Sequence, residues 1–518
     1  MLEKQAIKRV QKMAKEFSQI TLDDDYIVKD QKPDVIKIIH SKGCLSFEEA
    51  KPSGQTVWVS GKLDFLVLYR SDEDGGTPES LAGSVAIREK VMIDQNWENE
   101  PLRVSGELED LSIGIINSRK LSIRAVVNLE IEAEGIVEEE VVCELGSTSR
   151  MEQKCSEKEV MNLICAKRDV LRLHNEVTLP NSKDNIGEIK YSQIDVRNIE
   201  TDVTKGKLQL QGEASICVVY IGEEKKAECY ETSLPFSGEL ELDCMNVPDI
   251  YWVKARAMDC EVDARNDYDE ESRILGIEMS LDVEYKLWQE EKVTLLEDAY
   301  ALDREISLVK ESGILPVFCM KNVAKVRLSD SFQMDNSMEK IMQMCFSTAE
   351  VSIDHVEQVE CGLHFEGVMV VHILYLAAED DFPLVHTQAS IPFEQTVEIM
   401  HCKEETQYDY EVWVDRVQVS IMDNREYEVK GGVSIAVMAW NDEPYERITD
   451  VETREMGMGT LPAQPGIVGY CACREEELWD IAKKYHTTVA DIESTNGITG
   501  KTIPANMKII IVKQVAKC

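Results

Sequence analysis

The tripeptide Gly500-Lys501-Thr502 has the ending of a phosphate-binding loop. Such a loop cradles phosphate oxygens in backbone N–H groups, needs an earlier glycine five positions before Gly500, and lies between a strand and a helix. Thr495 occupies the earlier position, and the tripeptide follows a helical pattern instead of opening one. A nucleotide site is not expected there. Five of the eight histidines fall late in the chain: His355, His364, His372, His386 and His401. Imidazoles in that number suggest a transition-metal site. His364 and His372 share one predicted strand, however, and lie about 26 Å apart along it, so they cannot share an ion. His386 and His401 could approach each other, but no short His spacing supports a site. These residues are expected to be ordinary strand histidines, with no metal bound. Acidic residues are so numerous (97 Asp and Glu) that paired carboxylates carry no signal for glycoside hydrolysis. No GxSxG or HExxH motif occurs. The reading is no catalytic residue, no cofactor and no enzyme.

The elements that would position any site come from a repeat. Leu22–Tyr69, Leu173–Tyr220 and Leu328–Tyr375 match position for position without a gap. Each ends in a glycine followed eight residues later by a tyrosine: Gly61/Tyr69, Gly212/Tyr220 and Gly367/Tyr375. The period, about 150 residues, is that of a domain and not of a solenoid unit. The strand ending at each tyrosine alternates strictly, as in Leu63-Phe65-Val67-Tyr69 and Met369-Val371-Ile373-Tyr375. Its other face also turns apolar toward the end, at Leu66/Leu68, Val219/Ile221 and Leu374/Leu376. That predicts a strand in the middle of a sandwich or barrel. Later strands begin around Val85-Ala-Ile87, Leu234-Pro-Phe236 and Ile391-Pro-Phe393, and each unit closes on a hairpin at Asn117-Ser-Arg119, Asn266–Arg273 or Asp423-Asn-Arg425. Two helices are also expected. Ala6, Val10, Met13 and Phe17 share one face if Leu2–Gln19 is helical, and Ser156 with Glu159 has capping-box spacing ahead of Val160, Leu163, Ile164 and Val170.

The net charge is −41, yet the last 53 residues carry six acidic against seven basic side chains, so the acidity lies in the repeated part. Such a surface repels phosphate backbones and anionic lipid heads, which disfavours nucleic acid as a partner. The fifteen cysteines include no CxxC pair, and the opening residues lack the apolar core of an export signal. No apolar run approaches the ~20 residues of a membrane span. Reduced thiols in a cytosol fit this pattern.

The predicted organisation is mainly β with short helices. Antiparallel, sandwich- or barrel-like units occupy 1–152, 153–298 and 299–452, followed by a Gly/Pro linker at 453–465 and a small α+β tail at 466–518 that folds by itself. In the tail, Ile467–Cys473 reads as a strand, Glu476–Tyr485 and Val489–Thr495 as helices, and Lys508–Val512 as a closing strand.

With Ile467-Val-Gly-Tyr470, Leu478-Trp479-Asp480-Ile481-Ala482, Tyr485, Ile492, Asn496, Ile503-Pro504 and Lys508–Val512, the tail resembles a LysM domain. That resemblance implies a βααβ fold and, as the usual ligand, the N-acetylglucosamine backbone of peptidoglycan or chitin. The family's Gly-Asp-Thr before Leu-Trp is replaced here by Glu475, Glu476 and Glu477, and a glycine common after the second loop by Asn506. Three carboxylates at the mouth disfavour a neutral sugar, so peptidoglycan is an unlikely ligand. The groove is assigned to Glu475, Glu476 and Glu477 on one wall and to Asn496, Gly497, Ile498, Ile503 and Pro504 on the other. Trp479 is expected to be structural. The tripled part, with its Gly-x7-Tyr strand and Ile-Pro-Phe strand, resembles the SPOCS domains of spore-forming Firmicutes. Three SPOCS domains ahead of one LysM domain are similar to the SipL-like spore morphogenetic proteins. The resemblance implies a non-enzymatic scaffold of the mother-cell cytosol at the forespore surface, which binds the coat-basement ATPase SpoIVA through the LysM tail. The rival reading is a glycan-binding cell-wall protein; a wall hydrolase using LysM for targeting lacks a catalytic motif.

Overall fold

The computed structural model describes residues 2–72, 77–94, 97, 101–146, 150–223, 226–244, 246–334, 340–377, 384–400, 402–403, 405–423, 425–455 and 466–512. His401 and most of the expected linker lie outside the described residues.

Each repeat unit has six antiparallel strands. In the first they are β1 (Leu2–Ile27), β2 (Val35–Ser53), β3 (Thr56–Ser71), β4 (Pro78–Met92), β5 (Leu102–Asn117) and β6 (Lys120–Leu145). They form two three-stranded sheets, β1-β6-β5 and β2-β3-β4. The second unit repeats this with β7 (Met151–Thr178), β8 (Ile186–Thr204), β9 (Lys207–Gly222), β10 (Ala227–Glu241), β11 (Ile250–Asn266) and β12 (Ser272–Ala301). The third does so with β13 (Arg304–Gln333), β14 (Ile341–Val359), β15 (Gly362–Ala377), β16 (Leu384–Glu398), β17 (Gln407–Asp423) and β18 (Glu426–Glu455). In each unit the core lies between the two sheets. In the first, Val57, Leu63, Phe65, Val67 and Tyr69 of β3 meet Leu121, Ile123, Ala125, Val127 and Leu129 of β6.

The Gly–Tyr strand is the middle strand of its sheet in all three units. Its tyrosine is fully buried at Tyr69, Tyr220 and Tyr375. The hydroxyls of Tyr69 and Tyr220 donate to the carbonyls of Pro33 and Asp184, at 3.1 and 3.0 Å, tying the loop before the second strand to the sheet. The glycine faces an irregularity in the neighbouring strand, where register slips between Phe47/Glu49, Arg197/Glu200 and Ile353/His355. A Cβ at Gly61 or Gly367 would run into the backbone oxygen of Ser46 or Ser352, and one at Gly212 into the Phe236 ring, so no larger side chain fits. The hairpin arginines close the same end of the first two units. Arg119 donates to the carbonyls of Val28, Lys29 and Lys32, and Arg273 to those of Pro180 and Lys183.

Both predicted helices are strands. Leu2–Gln19 belongs to β1 and pairs along its length with β6, while 156–170 belongs to β7 and pairs with β12. The helical reading would bury Ala6 and Phe17, which are exposed, and leave out Ile7, which is buried. The partner strands decide the outcome: β6 from Leu121 to Ala133 and β12 from Leu275 to Leu287 alternate apolar side chains, and cross-strand pairing outweighs the weak local helix preference.

These first and last strands run past the sandwich. β5 reaches only to Ala133 of β6, and β11 to Trp288 of β12, so the outer parts of β1/β6, β7/β12 and β13/β18 form two-stranded ribbons. The ribbons pack on one another. Ile7 and Val141 of the first meet Val160, Val293 and Leu295 of the second and Leu315 of the third. The units also meet in a cycle near their Gly–Tyr sheets: β4 against β8, β10 against β14, and β16 against β2. The outer apolar face of the Gly–Tyr strands fills that centre, where Leu68, Val219 and Leu374 pack with Tyr191, Cys217, Cys229, Cys345, Phe346 and Leu384. The repeat thus builds a closed ring of three sandwiches on a common stalk of ribbons.

The tail has β19 (Ile467–Cys471), β20 (Glu476–Glu477), α1 (Leu478–Tyr485), α2 (Val489–Asn496), β21 (Thr502–Ile503) and β22 (Lys508–Val512). α1 and α2 are the helices found among the described residues, and neither is long or apolar enough to cross a membrane.

Candidate functional site

The site is built where two loops of the tail meet. β20 pairs with β21, Glu476 opposite Ile503 and Glu477 opposite Thr502. Leu478 N donates to the carbonyl of Lys501 at 2.9 Å. The three glutamates are each engaged. Glu475 accepts from the Thr502 hydroxyl at 3.1 Å, Glu476 accepts from the Tyr470 hydroxyl, and Glu477 pairs with Lys154 of the second unit at 2.6 Å. The bond to Glu476, with burial, pushes the Tyr470 phenol up to about 12. Glu477 is the N-cap of α1 but makes no side-chain cap. A threonine in that place would supply one, worth about 1 kcal/mol; here the carboxylate reaches another domain instead. α2 is capped conventionally, with Thr488 Oγ1 accepting from Asp491 N at 3.0 Å.

The second predicted wall is divided between roles. Ile503 is buried and belongs to the tail's core, and Ile498 packs against that core. Asn496 holds α2 to the last strand: its amide donates to Ile510 O at 2.7 Å and its carbonyl accepts from Ile510 N at 2.6 Å. Gly497 is the left-handed C-cap of α2. That leaves Gly497, Pro504, Thr502 and Glu475 as exposed surface on the loops. Gly500-Lys501-Thr502 follows α2 and runs into β21, not into a helix, and Gly500 N donates to the Glu493 carboxylate at 3.3 Å.

The opposite side of the tail is covered. Trp479 donates from Nε1 to Asp298 at 2.8 Å and meets the Tyr300 ring edge-on, with centroids 4.9 Å apart. Lys483 pairs with the same Asp298 at 2.6 Å, and the Tyr300 hydroxyl donates to the carbonyl of Thr487 at 2.8 Å. Tyr300 is thereby part of the tail's core, together with Ala472, Leu478, Ile481, Ala482 and Ile492. The side-chain bonds from Lys483 and Trp479 hold the Asp298 carboxyl below its ordinary range against the opposing pull of burial. Trp479 is structural, but as the anchor between domains. The sequence could not show this, because the partner lies about 180 residues upstream.

Asp298→Ala is expected to undock the tail. Losing the acceptor of one charged and one indole donor shifts the docked population by about 10- to 100-fold. Zero-length carbodiimide cross-linking of Lys154 to Glu477 checks this: the link should form in the wild-type chain and disappear in the variant.

A family model described as the SipL SPOCS domain matches residues 34–116, 185–265 and 340–422, and a LysM domain model matches 474–512. Each SPOCS match covers the four inner strands of a unit and leaves the long ribbon strands outside. No curated protein and no solved structure matches the chain. SPOCS and LysM are non-catalytic domain families, and LysM carries a binding role. With three SPOCS domains in series and a LysM domain at the C-terminal end, the chain is a member of the SipL-like family of sporulation-related proteins.

Proposed function

We propose that this protein is a non-enzymatic scaffold of spore morphogenesis, whose LysM domain binds a protein partner. By the SipL-like resemblance that partner is the coat-basement ATPase SpoIVA, and the complex helps to localise the coat around the forespore in the mother cell. The observation that carries the reading is the domain order itself, a ring of three SPOCS domains holding one LysM domain on its stalk. The loop surface supports a protein over a glycan. Glu475 lies exposed with its carboxylate on Thr502, and Gly497 and Pro504 are exposed on the same pair of loops, so a neutral sugar bound there would meet a carboxylate. An acidic lip suits a Lys/Arg rim on the partner and makes the complex sensitive to salt.

The test is a pull-down from sporulating cells with the full chain and with a chain lacking 466–518. SpoIVA should be retained by the first and lost by the second. Reversing Glu475 and Glu476 to lysine should weaken the complex by at least about tenfold, with Lys154–Glu477 docking intact. Equal recovery by the shortened chain would move the partner's site to the SPOCS units. Micromolar binding of an N-acetylglucosamine tetramer by calorimetry would instead favour the glycan-binding wall protein.

A further inference from the structure

In the ring of SPOCS units, chain connections join the first unit to the second and the second to the third. The third meets the first, β16 against β2, with no chain connection between them. Three histidines gather at that junction: His40 from β2, His372 from β15 and His386 from β16. One nitrogen of each lies within 4.8 Å of the others. His372 Nδ1 and His386 Nε2 are 3.2 Å apart. Two imidazole nitrogens on one tetrahedral zinc, each bonded at about 2.0–2.1 Å, stand about 3.3 Å apart. His40 is 6% exposed, its ring centroid is 4.3 Å from that of His386, and its Nδ1 has no hydrogen-bond partner. A buried imidazole with an orphaned nitrogen, packed against two other imidazoles, calls for an explanation that packing alone does not give.

The repeat shows that packing needs no histidine there. His40 lies opposite Leu68, as Tyr191 lies opposite Val219 and Phe346 opposite Leu374. His386 lies opposite Leu374, as Ser80 lies opposite Leu68 and Cys229 opposite Val219. The equivalent junctions are thus built with other side chains, and three imidazoles converge at the one junction that lacks a chain connection.

The geometry points to a zinc-class divalent cation bound by His40, His372 and His386, which clamps the third SPOCS unit to the first and closes the ring. The donor set is three imidazoles, which suits zinc and its borderline neighbours and not calcium or magnesium. Burial keeps the imidazoles neutral, pushing His40 down to about 2 and His386 to about 4, so their lone pairs are free at neutral pH. Lys42, Asp195 and Glu350 also act on His372. Lys42 and Asp195 also line an open cavity of about 900 Å³ shared by all three units.

The test uses the full-length chain without an affinity tag, stripped with a chelator and titrated with Co²⁺ and then Zn²⁺. One Co²⁺ per chain should give tetrahedral visible bands that Zn²⁺ abolishes, and Zn²⁺ should raise the thermal midpoint. His40→Phe and His386→Ser copy Phe346 and Ser80 of the sister units and so should keep the fold. Each should weaken Zn²⁺ binding by about a hundredfold or more and abolish the thermal shift. His364→Gln removes a member of the more exposed group His364, Glu366 and Glu394 and should change nothing. An octahedral Co²⁺ spectrum, affinity unchanged in both junction variants, or affinity lost in His364→Gln would each overturn the proposal.

Discussion

Tyr220→Ala is expected to lower the stability of the second SPOCS unit by about 3–5 kcal/mol, the range for truncating a fully buried aromatic side chain. The ring is completely enclosed and belongs to the second core, with Val218 of its own strand and Leu275 and Ile277 of the facing sheet. Its hydroxyl adds the bond to Asp184, and burial pushes the phenol up to about 12. Tyr220→Phe separates the two contributions and should lose only about 1 kcal/mol, the net worth of a typical hydrogen bond. Denaturant unfolding, with hydrogen exchange of the β9 amides to localise the effect, measures both. A loss under about 1 kcal/mol for the alanine variant would overturn the claim that this ring is a main contributor to the core.

The same strand shows how far the sequence could be read. Alternation along Leu63–Tyr69 and its two copies identified the core face, because one buried face forces a period of two. The apolar second face was equally visible, but its partner was not. Leu68, Val219 and Leu374 looked like one sandwich's interior and lie instead between three sandwiches. Periodicity reports that a face is covered and is silent on what covers it. The ribbons failed for a related reason. Ala6, Val10, Met13 and Phe17 gave the first segment a helical spacing with charges on its other faces, and in the strand those charges serve pairs such as Lys15–Glu130 and Lys4–Glu140 across to β6. In the tail, spaced core residues and helix ends sufficed for the LysM fold. The engagement of Glu477 and Trp479 with the second unit depends on a fold of three units that no local pattern encodes. His40 was passed over among the histidines because its companions lie in another repeat.

Asp409 is expected to be the most sensitive single charge in the assembly. It sits on β17 of the third unit, its side chain 14% exposed, with Lys12 of the first unit at 2.6 Å. Lys12 also donates to the carbonyl of Tyr408 at 2.8 Å and lies over the Trp440 ring. The charges of Lys12, Lys286 and Lys254 hold the Asp409 carboxyl far below its ordinary range, although burial pushes the other way. Lys286 and Lys254 belong to the second unit, so one carboxylate answers cations from both other units. Asp409→Asn keeps the shape and leaves Lys12 without its nearest counter-charge. It should destabilise the protein by about 2–4 kcal/mol at pH 7, near the lower end for breaking a buried pair because Lys12, Lys254 and Asp409 line an open cavity. The folded-state pKa is depressed, so this stabilisation is complete above the unfolded value, near 3.9, and is lost as pH falls below it. Wild type and variant should therefore differ most at neutral pH, with the gap narrowing steadily as pH falls from about 3.9 to about 2. Denaturant midpoints measured between those limits test the claim on the difference alone, because the other acidic residues contribute equally to both proteins. A gap that stays constant with pH would assign the effect to the altered shape or hydrogen bonding of the side chain and not to its charge.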